Sequence, residues 1–137
     1  MKYLLDTNMC ITAMRNQPLV VRRLLALTPG DCAISTITAY ELLTGVEKCA
    51  YPARERSKVE RMLNTVSLLP FDSAAATQAA RVRALLEAVG QSIGPYDLLL
   101  AGHALAAGLA LVTNNTAEFN RVPGLLLEDW QALRPTP

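Results

Sequence analysis

The stretch from Tyr96 to Thr113, YDLLLAGHALAAGLALVT, decides the fold. Its first part, Tyr96 to Ala107, is apolar nearly all round, which predicts a central, buried helix rather than a surface one. Gly108 ends that helix, and Leu109 to Thr113 reads as a strand following it at once. The uninterrupted apolar part, Leu98 to Val112, is fifteen residues with His103 inside it, short of the roughly 20 needed to span a bilayer. It is therefore core, and no membrane partner is expected.

Outward from that unit the same alternation repeats. Strands are predicted at Lys2–Leu5, Cys32–Ser35, Val66–Leu69 and Leu125–Leu127. Between them the apolar spacing predicts helices at Met9–Arg15, Pro18–Leu27, Thr38–Lys48, Pro52–Asn64 and Ser73–Val89, with a last helical turn at Asp129–Leu133. Gly90 to Pro95 and Asn114 to Arg121 read as loops. Strands separated by helices imply an α/β protein, a three-layer α/β/α sandwich around a central parallel sheet, and residues 1–137 are enough for one such domain.

Composition narrows the chemistry. Thirteen Lys plus Arg against twelve Asp plus Glu leave a formal charge of +1, so charge-driven binding has to be local. Cys10, Cys32 and Cys49 are odd in number and form no C-x-x-C, against both a disulfide framework and a cysteine zinc site. With His103 as the only histidine there is no multi-histidine metal centre, and its place within an apolar helix predicts a satisfied core residue rather than the base of a nucleophile system. The N-terminal apolar run breaks at Asp6, too early for a signal peptide, which points to the cytoplasm. Walker A, dinucleotide and D-x-D phosphate motifs are absent.

Four of the twelve acids stand in unusual company. Asp6 follows Tyr3-Leu4-Leu5, Glu41 lies within Ala39-Tyr40-Glu41-Leu42-Leu43, Asp97 precedes three leucines, and Glu118 sits beside Phe119 in the loop after the fourth strand. A carboxylate in apolar surroundings is costly unless it is paired, hydrogen-bonded or bound to a metal. Each has a bland local reading too. Asp6 could close a turn or cap a helix, Glu41 could complete a T-x-x-E capping box with Thr38, and Asp97 could answer the macrodipole of a first turn.

Joint placement favours chemistry. In a parallel sheet the strand C-termini lie along one edge, where open α/β proteins bind ligands, and Asp6, Glu41 and the loop of Asn114, Asn115 and Glu118 all fall there. If the helix that Asp97 begins packs beside the first strand, three or four acids meet, which without a cation would force protons onto some of them. All-oxygen ligation selects a hard divalent ion, and Mg2+ takes only one or two protein carboxylates, leaving room for water and substrate phosphate. That set suits phosphodiester hydrolysis.

Leu4-Leu5-Asp6-Thr7-Asn8, Tyr40-Glu41-Leu42-Leu43-Thr44-Gly45, Pro95-Tyr96-Asp97 and Leu111-Val112-Thr113-Asn114-Asn115-Thr116-Ala117-Glu118-Phe119, with Val122-Pro123-Gly124-Leu125 after it, resemble in that order a PIN-domain ribonuclease. More narrowly they resemble a VapC-type toxin of a bacterial toxin-antitoxin pair, over nearly the whole chain. The resemblance implies a PIN-like fold and a Mg2+-dependent endoribonuclease, with Mn2+ as a substitute ion, tRNA as the usual kind of target, and a cognate VapB antitoxin as inhibitor. It further implies a homodimer, and a groove between the first and the third or fourth helices that receives an antitoxin segment.

Carried over by position, Asp6 and Asp97 resemble the metal ligands, Glu41 a third acid that orients or activates water, and Glu118 a fourth catalytic acid. Many relatives have an Asp where this chain has Asn115, which brings a carbonyl oxygen but no charge. Thr7, Asn8, Thr113 and Asn115 are candidates to fix carboxylate rotamers or face phosphate, turn and cap chemistry being the alternative. Lys48, Arg54, Arg56, Lys58 and Arg61 form the densest basic segment, either an RNA-phosphate contact or a solvated helix face. Two other readings remain open at this point: a catalytically inactive interaction module, to which Asn115 leans, and a DNA-directed structure-specific nuclease.

Overall fold

The computed structural model describes residues 1–131. Five strands, β1 (Tyr3–Leu5), β2 (Cys32–Ser35), β3 (Ser67–Leu69), β4 (Ala110–Val112) and β5 (Leu127–Glu128), form one all-parallel sheet in the order β3-β2-β1-β4-β5. Seven helices surround it: α1 (Thr7–Met14), α2 (Pro18–Ala26), α3 (Thr36–Lys48), α4 (Pro52–Thr65), α5 (Ser73–Ala88), α6 (Pro95–Ala107) and the short α7 (Thr116–Phe119). None of them is long and apolar enough to cross a membrane.

The three layers follow from the two-residue period of a strand. Leu5, Cys32, Ile34 and Val112 face one core with residues of α1 to α4, while Leu4, Ala33 and Leu111 face a second core with α5, α6 and Phe119. Each central strand is therefore covered on both sides, which is what an apolar strand without polar alternation requires. Leu4 and Leu5 are both fully buried, each worth about 1.5–3 kcal/mol of transfer free energy.

α6 begins with Pro95 in its first turn and ends on Gly108, whose left-handed φ of 69° only glycine adopts readily. Gly102, mid-helix, has a separate reason. A Cβ there would lie 2.4 Å from the backbone nitrogen of Ala79, so α5 and α6 pack with nothing between them. That contact fixes where the N-terminus of α6 points.

The predicted architecture is present, with local differences. α3 starts at Thr36 with Ser35 as its cap, the Ser35 hydroxyl accepting from the Ile37 amide at 3.0 Å, so the capping box between Thr38 and Glu41 does not form. β5 lies at Leu127–Glu128 rather than Leu125–Leu127, because three successive leucines carry no alternation to set a register. The predicted loop from Asn114 to Arg121 contains α7. Asp129 to Gln131 do not start a helix: the Gln131 amide donates to Asp129 Oδ1 at 2.9 Å in a tight turn, and the rest of that predicted turn lies outside the described residues.

Candidate active site

The chain runs from β1 to β2 to β3 in one direction, then places β4 and β5 on the other side of β1. Between β1 and β4 the winding reverses, and the crevice at the C-terminal ends of those strands is where such sheets bind ligands. Asp6 follows β1 directly. Its amide donates to the Val112 carbonyl at 3.0 Å, extending the ladder, and its Oδ1 accepts from the Met9 amide at 2.7 Å, capping α1. The predicted cap is real, yet the carboxylate is only 3% exposed. Burial pushes its pKa up, hydrogen bonds from Thr113 and Met9 pull it back, and the charge of Glu41 pushes it up again.

Asp97 reaches the same crevice from the first turn of α6. Its pKa is pushed up to about 6, by burial first, then by the charges of Glu118, Asp6 and Glu41 and a hydrogen bond with Glu118. Asp97 thus lies within the field of the other three singled-out acids. Among the described residues, however, no three His, Cys, Asp or Glu side chains stand close enough to hold an ion by themselves. The acids converge closely enough for their charges to act on Asp97 without forming a closed cage among the described residues.

Each remaining acid is steered by a neighbour. Glu41 Oε1 accepts from the Thr7 hydroxyl at 2.6 Å, and Thr7 Oγ1 lies 3.2 Å from the hydroxyl of Thr38, which is fully buried. Glu118 Oε2 accepts from the Asn115 side-chain amide at 2.9 Å. Thr113, also fully buried, bonds to the Asp6 carboxylate while its Oγ1 accepts from the Asn115 amide at 2.9 Å. Of the predicted supporting residues, Thr7, Thr113 and Asn115 touch the acids. Asn8 is exposed, its carbonyl accepting from Thr12 Oγ1 at 2.8 Å, and among the described residues no hydrogen bond joins its side chain to any of the four.

Thr38, in the sequence a capping-box partner for Glu41, instead lies beside the Thr7 hydroxyl that holds that acid. It sits one turn before Glu41, and that spacing is the signal that it shares a face with the acid.

No cation offsets these charges among the described residues, where the ion pairs are Arg23–Glu128, Arg56–Glu47, Lys58–Glu55 and Arg83–Glu87. Two of the pairs fall in the basic segment on and before α4, and Lys48, Arg54, Arg56, Lys58 and Arg61 are all exposed, as on a solvated face. A buried carboxylate with hard oxygen donors near it and no positive partner among the described residues fits a hard divalent cation.

His103 is a contrast. Its Nδ1 lies 2.9 Å from Ser35 Oγ and its ring meets Phe71 edge-on at 5.5 Å. Burial lowers its pKa, partly countered by Asp72. Ser35 is fully buried and Asp72 accepts from the Ala75 amide at 3.0 Å as the cap of α5, so no nucleophile system forms here.

Fold and site together define a PIN domain, and residues 3–125 match that family. The chain is 44% identical to the tRNA(fMet)-specific endonuclease VapC of Shigella flexneri, over 95% of its own length and 98% of that protein. Among solved structures, the DNA-bound VapBC of Salmonella typhimurium is similar at a TM-score of 0.90 and 42% identity, over 95% of this chain and 98% of that one. VapBC2 of Rickettsia felis, bound to a DNA fragment from its promoter, follows at 0.89 and 36%, covering 95% and 99%. The chain belongs to the VapC family of PIN-domain ribonucleases.

Proposed function

We propose that this protein is a Mg2+-dependent endoribonuclease, the toxin of a type II toxin-antitoxin pair, with Asp6 and Asp97 as its metal-holding residues. The observation that carries the reading is the buried Asp6 carboxylate at the β1/β4 crevice, sharing its field with Asp97, Glu41 and Glu118 and paired with no cation among the described residues. A bound divalent ion would lower the pKa of a water and neutralise charge building on the phosphoryl group.

The chain's own residues do the rest. Glu41, held by the Thr7 hydroxyl, orients the attacking water and takes its proton. Thr113 fixes the Asp6 carboxylate, and Asn115 holds Glu118 toward Asp97. In this arrangement Asn115 is a positioning residue whose lack of charge is made up by the acid it holds. Both inactive-module and DNA-nuclease readings are less well supported, since four acids remain in place and relatives carry ribonuclease names.

The named activity of the Shigella relative supports initiator tRNA as the substrate, and with it a cytoplasmic site of action. The VapBC neighbours support a VapB-type antitoxin as inhibitor. A cavity of about 310 Å³ between α1, α3 and α4, lined by Ile11, Met14, Leu42, Val46, Val59 and also Glu41, suits an antitoxin segment that ends at the acids. A homodimer remains part of the reading.

Incubating the purified chain with initiator tRNA and Mg2+ tests it. Discrete cleavage is expected, restored by Mn2+ and silenced by EDTA, with Asp6→Asn and Asp97→Asn each folded and slower by roughly a hundredfold or more. Cleavage that survives EDTA, or both substitutions, would sink the proposal.

A further inference from the structure

The crevice is bordered by two exposed aromatic side chains. Tyr40 immediately precedes Glu41 on α3, and Tyr96 immediately precedes Asp97 on α6, with 53% and 41% of their surfaces exposed. Their hydroxyls lie 3.3 Å apart and their ring centroids 5.8 Å apart at an interplanar angle of 49°. Single exposed apolar residues are ordinary on a protein surface, but here two aromatic rings from different helices meet to form one platform beside the acids.

From this juxtaposition we propose that the Tyr40–Tyr96 pair is a stacking platform for an unpaired nucleobase next to the scissile phosphate. The inference rests on the nuclease reading above and adds to it the contact that holds the substrate. RNA must approach a mouth lined with carboxylates, where direct charge attraction works against it. Beside the acids, uncharged contacts are what can hold a base, and phenol faces supply them for any base. The rings are too close and too tilted to sandwich a base, which needs roughly 7 Å, twice the stacking rise. A base therefore stacks on an outer face while the hydroxyl pair holds the rings in place. The partner is single-stranded, since a base inside a duplex has both faces covered by its stacked neighbours.

The test uses the full chain and initiator tRNA, with Ca2+ replacing Mg2+ for binding and Mg2+ present for turnover. Tyr40→Leu and Tyr96→Leu are expected to bind about tenfold more weakly and to raise KM with kcat little changed. Tyr40→Phe and Tyr96→Phe, which keep the ring and lose the hydroxyl, should stay within about threefold of wild type. Leucine variants with wild-type affinity and KM would overturn the platform while leaving the nuclease reading intact. So would leucine variants that lose affinity only for an arginine-bearing antitoxin peptide, which would make the pair a protein contact. A wild-type chain that neither binds nor cuts RNA would overturn both.

Discussion

Two buried polar groups lie at the same end of the sheet and meet burial in opposite ways. His103 is desolvated, stays neutral, and finds a hydroxyl at 2.9 Å on Ser35. Asp6 is as deeply buried, yet the charge of Glu41 acts on it and Asp97 feels it together with Glu41 and Glu118, with no ion pair to these acids among the described residues. The first is a solved problem of packing. The second is not offset among the described residues, which is why the proposed function puts a divalent ion there.

The contrast breaks most directly in activity. Asp97→Asn is expected to lower the cleavage rate by roughly a hundredfold or more, whereas His103→Gln leaves kcat within about twofold. Comparable loss from both would make the two regions one. Stability should invert the order. His103→Ala removes the ring that meets the Ser35 hydroxyl in the core, leaving that hydroxyl only the Ile37 amide, and is expected to cost about 1–3 kcal/mol in chemical denaturation, while Asp97→Asn raises the melting temperature in EDTA at pH 7 by a few degrees, because it removes a charge that its neighbours repel.

The supporting shell gives a smaller effect. Thr113→Val keeps the volume but frees the Asp6 carboxylate and the Asn115 amide, and titration calorimetry with Mn2+ should show about 10- to 100-fold weaker binding with the fold retained.

Smallest and subtlest is the pH response of the ion-free chain. Asp97 has its folded pKa raised from 3.8 to about 6, so between those values the folded chain holds a proton that the unfolded chain has lost, and its contribution to stability falls as pH rises. His103 has its folded pKa below the ordinary 6.5, so the unfolded chain protonates first and its contribution falls as pH drops through 6.5. Melting curves in EDTA should lose the first slope in Asp97→Asn and the second in His103→Gln. A wild-type slope that persists in Asp97→Asn would assign the repulsion to other acids.

How far the sequence shows these features depends on whether they are local. Strand and helix alternation, the buried character of α6 and its end at Gly108 are written in runs of neighbouring residues. The start of α3 is not, because Ser35, Thr36 and Thr38 all qualify as caps and only the pairing of Ser35 with Leu69 in the sheet selects the first. α7 is four residues, too short for any period to register. At the site, Asp6 and Glu41 stand out by their apolar company. The meeting of Asp97 with them depends on how α6 packs, which no spacing records, and the pairing of Asn115 with Glu118 shows only as two polar residues three apart.

Ala79 and Gly102 end as a lesson in engineering. Because one helix's main chain occupies the volume of the other's missing side chain, neither can be rotated or slid without recutting both, so the acid five positions upstream of Gly102 is indexed to a seam far from any solvent. A library that randomises either position alone should return only the smallest residues, and a redesign that moves the carboxylate must treat the two as a single part.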